Sequence, residues 1–239
     1  QWYIICNVVV AADYRNRGIG RQLTASAAEE AEALGAQGVL LQVYRDNRPA
    51  HHLYVDLGFH EVSGESELWA EQVQPVPAAE DGGYLVRPLA PDDGSRVYEL
   101  ARQAVPLEQQ WIRPLQQQAY WTDSLSLLLG RLDDLRAQRR TYRLAALTAG
   151  RHGQLPVAFA AVTASLGRRA HQIKLLVHPG HAGQVEAPLV SRALRLLASA
   201  PLRPVRASLY SNDLAALELL EALGFRERRT LLTMRRDLA

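Results

Sequence analysis

The 239-residue sequence is poor in several residue types, and each scarcity excludes something. Cys6 is the only cysteine, so no disulfide can form within the chain. Lysine is nearly missing: all of the 27 basic residues except Lys174 are arginine. Methionine occurs only at Met234 and the sequence opens at Gln1, as expected of a fragment, a processed chain or a sequence whose front end lies elsewhere. No apolar run approaches the roughly 20 residues that span a bilayer, and no signal-peptide pattern is visible. The expected location is therefore cytoplasmic, with no membrane partner. Neither sign of charge dominates: the formal net charge is +2 and the pI near 8.8. The arginines are scattered rather than gathered into a stripe, which reads as a solvated surface and argues against nucleic acid as a partner. The arginine- and alanine-rich, lysine-poor composition suits a high-GC bacterial genome.

Two nucleotide-binding patterns are also missing. No Gly-Lys-Ser/Thr closes a glycine loop, which excludes a Walker loop. No three-glycine fingerprint with an acidic residue about twenty positions on is found, which excludes a dinucleotide-binding turn of that type.

What is present begins at Val8-Val9-Val10-Ala11-Ala12-Asp13-Tyr14-Arg15-Asn16-Arg17-Gly18-Ile19-Gly20. Residues 2–10 are nearly all apolar and rich in β-branched side chains, so they predict a buried strand, with Cys6 as an inert core residue. After Gly20 the period becomes helical, with Leu23, Ala27, Ala31 and Leu34 on one face and Gly35 at the C-terminal cap. A glycine loop opening a helix aims free N–H groups and the positive dipole end at one point, a place suited to phosphate. Arg15, Arg17 and Arg21 flank it.

The string Arg15-x-x-Gly18-x-Gly20 behind a strand resembles the acetyl-CoA pyrophosphate loop of the GNAT superfamily of N-acetyltransferases. A second block, Asn47-x-x-Ala50-x-x-Leu53-Tyr54-x-x-x-Gly58-Phe59, resembles that superfamily's other signature, at the usual distance. The resemblance implies an α/β (α+β) fold, a GNAT-type mixed central sheet flanked by helices. It further implies acetyl-CoA as co-substrate, an amine or peptide acceptor, and no metal. Val8, Val9 and Val10 would lie along the pantetheine arm, with the backbone of Val8 and Val10 bonding to it. Arg15, Asn16, Arg17, Gly18, Ile19 and Gly20 would wrap the pyrophosphate. Asn47 would meet the pantetheine side, and Tyr54 would stand near the thioester sulfur as the general acid or hydrogen-bond donor. The entering strand offers only Cys6 and Asn7 where many members carry a glutamate base. His51 and His52, beside Tyr54, read as solvent-facing.

The second half repeats the first. Leu219 through Phe225 (LLEALGF) aligns with Leu53 through Phe59 (LYVDLGF), and His178–Gly183 falls where the first loop lies. The expected organisation is a partial unit over 1–73, a proline-rich linker over 74–83, and a complete GNAT-like domain over 84–239. The first unit would lack its opening strands and helices in this sequence. In the second unit Leu220 stands for Tyr54 and Asp213 for Asn47. Its loop aligns in two registers, with Gln184 and Glu186 or Val185 and Ala187 replacing the glycines, and Glu186 would repel a diphosphate. The second unit is therefore expected to be non-catalytic. An apolar stripe of Leu125, Leu128, Leu129, Leu132 and Leu135 reads as core or as a subunit contact, the latter consistent with a homodimer. Two functions follow: an N-acetyltransferase acting on a primary amine, or an acyl-CoA-binding sensor or scaffold without turnover.

Overall fold

The computed structural model describes residues 1–72, 82–120, 124–148 and 155–238. Most of the expected linker falls outside the described residues, as do the side chains of Leu125, Leu128 and Leu129. The chain forms two compact units, neither of them continuous in sequence. The first comprises Gln1–Glu65, Leu107–Pro114 and Arg229–Ala239; the second comprises Ser66–Pro106 and Leu115–Arg228. This differs from a linear division at 73 and 84, because each unit takes in a strand segment from the other half of the sequence.

In the first unit, β1 (Trp2–Ile5) leads through α1 (Ile19–Ala33) to β2 (Gly38–Tyr44), and α2 (Arg48–Asp56) leads to β3 (His60–Ala70). β1 and β2 are parallel, as a helical crossover requires. The strand on the other side of β2 is not β3. It is β9 (Arg226–Asp237), antiparallel, with Leu41 opposite Met234 and Val43 opposite Leu232. The strand order of this unit is β1-β2-β9-β3. Val39, Leu41, Val43, Tyr54, Phe59, Leu232 and Met234 share one core. α4 (Leu107–Ile112) belongs here too: Trp111 stacks on Trp2 at 5.0 Å, and the buried Gln109 donates to Thr233 Oγ1 at 2.9 Å. Gly38 is required by that packing, since a Cβ there would stand 2.3 Å from the Trp2 ring.

In the second unit, β4 (Tyr84–Pro88), β5 (Arg139–Thr148), β6 (Pro156–Ser165) and β7 (His171–Val177) form an antiparallel run. α3 (Gly94–Ala104) and α5 (Ser124–Arg136) fall between β4 and β5 in sequence. β7 is parallel to β8 (Val205–Tyr210) through the crossover helix α6 (Glu186–Ala198). Residues 66–70 of β3 lie beside β8, and α7 (Leu214–Ala222) follows β8. Leu68, Leu144, Ile173, Leu189, Leu209, Leu220 and Phe225 are among its fully buried side chains.

Four sequence expectations change. Residues 2–10 are not one strand: pairing stops at Ile5, and Asn7 takes a left-handed backbone, φ 57°. Cys6 is exposed, because β1 ends one residue before it. The buried face of α1 is Thr24, Ala28 and Ala31, whereas Leu23 and Leu34 are exposed, so the helix is turned about one position from the expected face. Of the leucine stripe on α5, Leu132 and Leu135 are also exposed, not core.

Candidate functional site

The candidate site lies within the first unit, where β1 and β2 part. Their pairing ends at Ile5 opposite Leu41, yet β2 runs on to Tyr44. Cys6 through Ala11 therefore leave the sheet and have no strand partner. Val8 and Val10 are half-buried and Val9 is 77% exposed, so the stretch offers main chain rather than core side chains. The Val10 carbonyl accepts from Arg15 Nε at 3.1 Å, which ties the stretch to the loop behind it.

The loop is a tight 3-10 turn, Ala12–Tyr14, closed by Tyr14 N–H to the Ala11 carbonyl and Arg15 N–H to the Ala12 carbonyl. Asn16 (φ 59°) and Gly18 (φ 77°) then adopt left-handed conformations that swing the chain into α1. Two left-handed residues so close together turn successive N–H groups toward one side, the geometry of an anion nest. Among the described residues the N–H groups of Asn16, Arg17, Gly18, Ile19 and Gly20 have no backbone acceptor, and no side chain caps the helix. The helix dipole points the same way. A Cβ on Gly18 would meet nothing within 4 Å, and one on Gly20 would make ordinary contact with Leu53 Cδ1 at 3.5 Å and Val10 Cγ2 at 3.8 Å. The fold therefore needs Gly18 for its φ, and needs no glycine at position 20. A Cβ at position 20 would obstruct nothing in the protein.

The flanking arginines are held separately. Arg17 lies over the Tyr14 ring at 5.3 Å, and Arg21 pairs with Asp56 at 2.7 Å. The Arg21 pair ties the first turn of α1 to the end of α2. Asn47 caps α2, its Oδ1 accepting from Ala50 N–H at 3.4 Å, with Pro49 in the first turn, where its missing N–H costs nothing. Gly58 (φ 85°) ends the helix. Tyr54 is 9% exposed and meets Phe59 edge to face, with ring centroids 6.1 Å apart. Its hydroxyl has no hydrogen-bond partner among the described residues. Burial pushes its pKa up from the ordinary tyrosine value. His51 pairs with Glu61 at 2.7 Å and His52 is exposed, so neither is committed to the loop. Asn7 Nδ2 approaches only the Cys6 sulfur, at 4.0 Å. Among the described residues no group of three His, Cys, Asp or Glu side chains is placed to hold a metal.

The second unit repeats this geometry and blocks it. Pairing of β7 with β8 stops at Lys174 opposite Ser208, although both strands continue. His181 N–H bonds to the His178 carbonyl and Ala182 N–H to the Pro179 carbonyl, as Tyr14 and Arg15 do in the first loop. That correspondence selects the register in which Val185 and Ala187 replace Gly18 and Gly20, with Glu186 where Ile19 stands. The buried Glu186 carboxylate accepts from Gly183 N–H at 2.9 Å and from Val185 N–H at 3.1 Å. The anion position of this loop is thus filled by the chain itself. Sequence reading identified Glu186 as a repulsive charge but missed that it is an internal ligand. The signal was a glutamate in the first turn of a helix, three residues after Gly183. In the second helical block, Leu220 replaces Tyr54 and is fully buried, so it offers neither donor nor acceptor.

With this geometry in view, comparison with known proteins is direct. Residues 1–59 match the acetyltransferase (GNAT) family model. No curated protein matches the chain in sequence. Among solved structures the chain is similar to a GCN5-related N-acetyltransferase from Sphaerobacter thermophilus, with a TM-score of 0.62 and 19% identity over 95% of this chain and 70% of that one. It is similar to a tandem GNAT protein from the clavulanic acid biosynthesis pathway, with a TM-score of 0.51 and 19% identity over 98% and 74% of the two chains. A GCN5-related N-acetyltransferase from Kribbella flavida gives a TM-score of 0.51 at 14% identity over 99% and 80%. At these identities the likeness is one of fold. The fold of the chain is similar to that of a tandem GNAT protein, and its first fifty-nine residues match the GNAT acetyltransferase family model.

Proposed function

We propose that the chain is an N-acetyltransferase that takes acetyl from acetyl-CoA at its first unit and passes it to a primary amine by direct attack. The observation that carries this reading is the row of unpartnered N–H groups from Asn16 to Gly20, at the start of a helix packed against the one bearing Tyr54. The fit to a diphosphate is good on three counts: the donors are free, Gly20 has no structural reason to be glycine, and Arg15 and Arg17 stand beside the turn.

In this reading Val8 and Val10, freed from the sheet, bond along the pantetheine, and Val9 separates them. Asn47 keeps its Oδ1 on Ala50 and has its amide N–H groups to spare for the same arm. Much of the rate comes from holding amine and thioester in place. Tyr54 serves the departing sulfur. A thiol of pKa about 8.5 already lies below tyrosine at about 10, and burial widens that gap, so full proton transfer to sulfur is uphill by more than about 2 kcal/mol. Tyr54 therefore acts as a hydrogen-bond donor to the developing thiolate rather than as a source of a fully transferred proton. Neither Cys6 nor Asn7 on the entering strand suits the part of a base, so the amine enters neutral or loses its proton through water or to a residue outside this sequence.

The second unit, with Glu186 in its own loop and Leu220 in place of a tyrosine, is read as non-catalytic. The location expected for the chain is the cytoplasm; no helix among the described residues is long and apolar enough to cross a membrane. Titration calorimetry with acetyl-CoA, paired with a thiol-release assay against a panel of amines, tests the reading. Saturable binding with amine-dependent thiol release supports it. Binding without release would make the chain a sensor or scaffold, and no binding would remove both.

A further inference from the structure

The second unit carries a larger pocket away from its loop. It holds about 480 Å³ and is bounded by β4, β5, α5 and α6. That volume lies within the range of about 300–1,000 Å³ usual for small-molecule sites. Its walls are mixed. Leu89, Tyr142, Leu144 and Leu196 supply an apolar surface, while four arginines stand against two carboxylates. Both carboxylates are already used. Asp134 accepts from Arg139 Nε at 2.8 Å and from the Thr141 N–H and hydroxyl at 2.8 and 2.9 Å, and Asp133 pairs with the other side of the Arg139 guanidinium. This network pins the corner where α5 turns into β5. Arg131 on α5 and Arg192 on α6 line the same pocket and have no acidic partner among the described residues.

A pocket with one apolar wall and two guanidinium groups without an acidic partner among the described residues has a chemical complement. A guanidinium fork matches a carboxylate in geometry as well as charge. We propose that this pocket binds a small organic carboxylate, its apolar body against Leu89, Tyr142, Leu144 and Leu196 and its charged end toward Arg131 and Arg192. The proposal stands on residues separate from those read as the acetyl-CoA site, and neither depends on the other.

The full chain is titrated with 4-phenylbutyrate and with its neutral counterpart, 4-phenylbutyramide, by calorimetry. Expected is saturable binding of the acid, weaker binding of the amide by about tenfold or more, and a loss of about five- to tenfold in affinity for the acid in Arg131→Gln and in Arg192→Gln. Both arginines are exposed, so neither substitution endangers the fold, and far-ultraviolet circular dichroism checks this directly. Equal affinity for acid and amide, no saturable binding of either, or unchanged affinity in both variants would overturn the proposal. So would displacement of the acid by acetyl-CoA, which would place the binding at the first unit.

Discussion

Asp213 caps α7 with nearly the backbone that Asn47 uses to cap α2: φ −90° and ψ 68° against φ −80° and ψ 64°, each side chain accepting the N–H three residues on. The helices that follow end alike, with Gly224 at φ 90° and Gly58 at φ 85°. The caps differ in charge. Burial, with Glu186 as a further negative neighbour, pushes the Asp213 carboxyl up to about 6.

A raised carboxyl pKa means that the folded state holds a proton the unfolded chain has already lost. Stability then falls as pH rises from about 4 to about 6, and is flat above that. Asp213→Asn keeps the cap, since Asn and Asp serve equally, and removes the ionised group. It should raise stability at pH 8 and leave it little changed at pH 4. Two pH units correspond to at most about 3 kcal/mol; with one side of the group open to water, about 1 kcal/mol is expected. Urea midpoints across this pH range check both sign and size.

Tyr54→Phe removes a hydroxyl that has no partner among the described residues and keeps the ring against Phe59. Stability should change by less than about 1 kcal/mol. Turnover should fall by about 10- to 100-fold, the scale of a lost proton or hydrogen-bond donor, with acetyl-CoA affinity within about twofold. Parallel losses in kcat and affinity would assign Tyr54 to binding instead.

Gly18 and Gly20 should separate cleanly. Gly18→Ala forces a side chain into the left-handed region and should cost about 1–2 kcal/mol of stability. Gly20→Ala meets only ordinary contacts and gains helix propensity of about 1 kcal/mol, so stability should hold or rise while acetyl-CoA binding weakens. Gly18→Glu should abolish that binding through charge. Thermal melts beside calorimetric titrations show whether stability and binding move in opposite directions at position 20.

With Gly18→Glu in place, adding Leu220→Tyr should restore no acetyl transfer. Glu186 holds the second loop's N–H groups whatever stands at position 220. Recovered thiol release in that double variant would show that the second loop accepts a diphosphate after all.

Met234→Ala cuts a fully buried side chain from β9 and should cost about 2–5 kcal/mol. Although it lies 180 positions after Tyr54 in sequence, it belongs to the same core. Acetyl-CoA binding should therefore weaken along with stability, as parallel urea and binding titrations would reveal.

Much of this was legible in the sequence, because the signals were local. The turn around Gly18 and the capped helix from Asn47 to Gly58 show themselves through glycine, proline and helical spacing. So does the repeat ending in Gly224-Phe225. The positions that misled are those decided by distant neighbours. Val8, Val9 and Val10 read as core by their side chains, but burial needs a strand on each side, and the pairing of β1 with β2 ends at Ile5. Leu23 and Leu34 fit a helical stripe, yet α1 buries Thr24, whose hydroxyl bonds back to the Gly20 carbonyl at 2.9 Å. Nothing local to β2 names β9 as its neighbour. Glu186 was visible as a charge, but its role as a cap needed the loop's shape.

The pairing of Leu41 with Met234 also sets an order of events during synthesis. β2 leaves the ribosome long before the strand that flanks it, so the segment holding the Gly18 turn and α2 waits with a bare edge of unsatisfied amides and carbonyls. Closing a loop of that length is slow compared with folding the local contacts inside it. The first unit therefore completes its core only when β9 arrives. Shortening the chain at that end would leave the motifs intact on paper and without a floor to stand on.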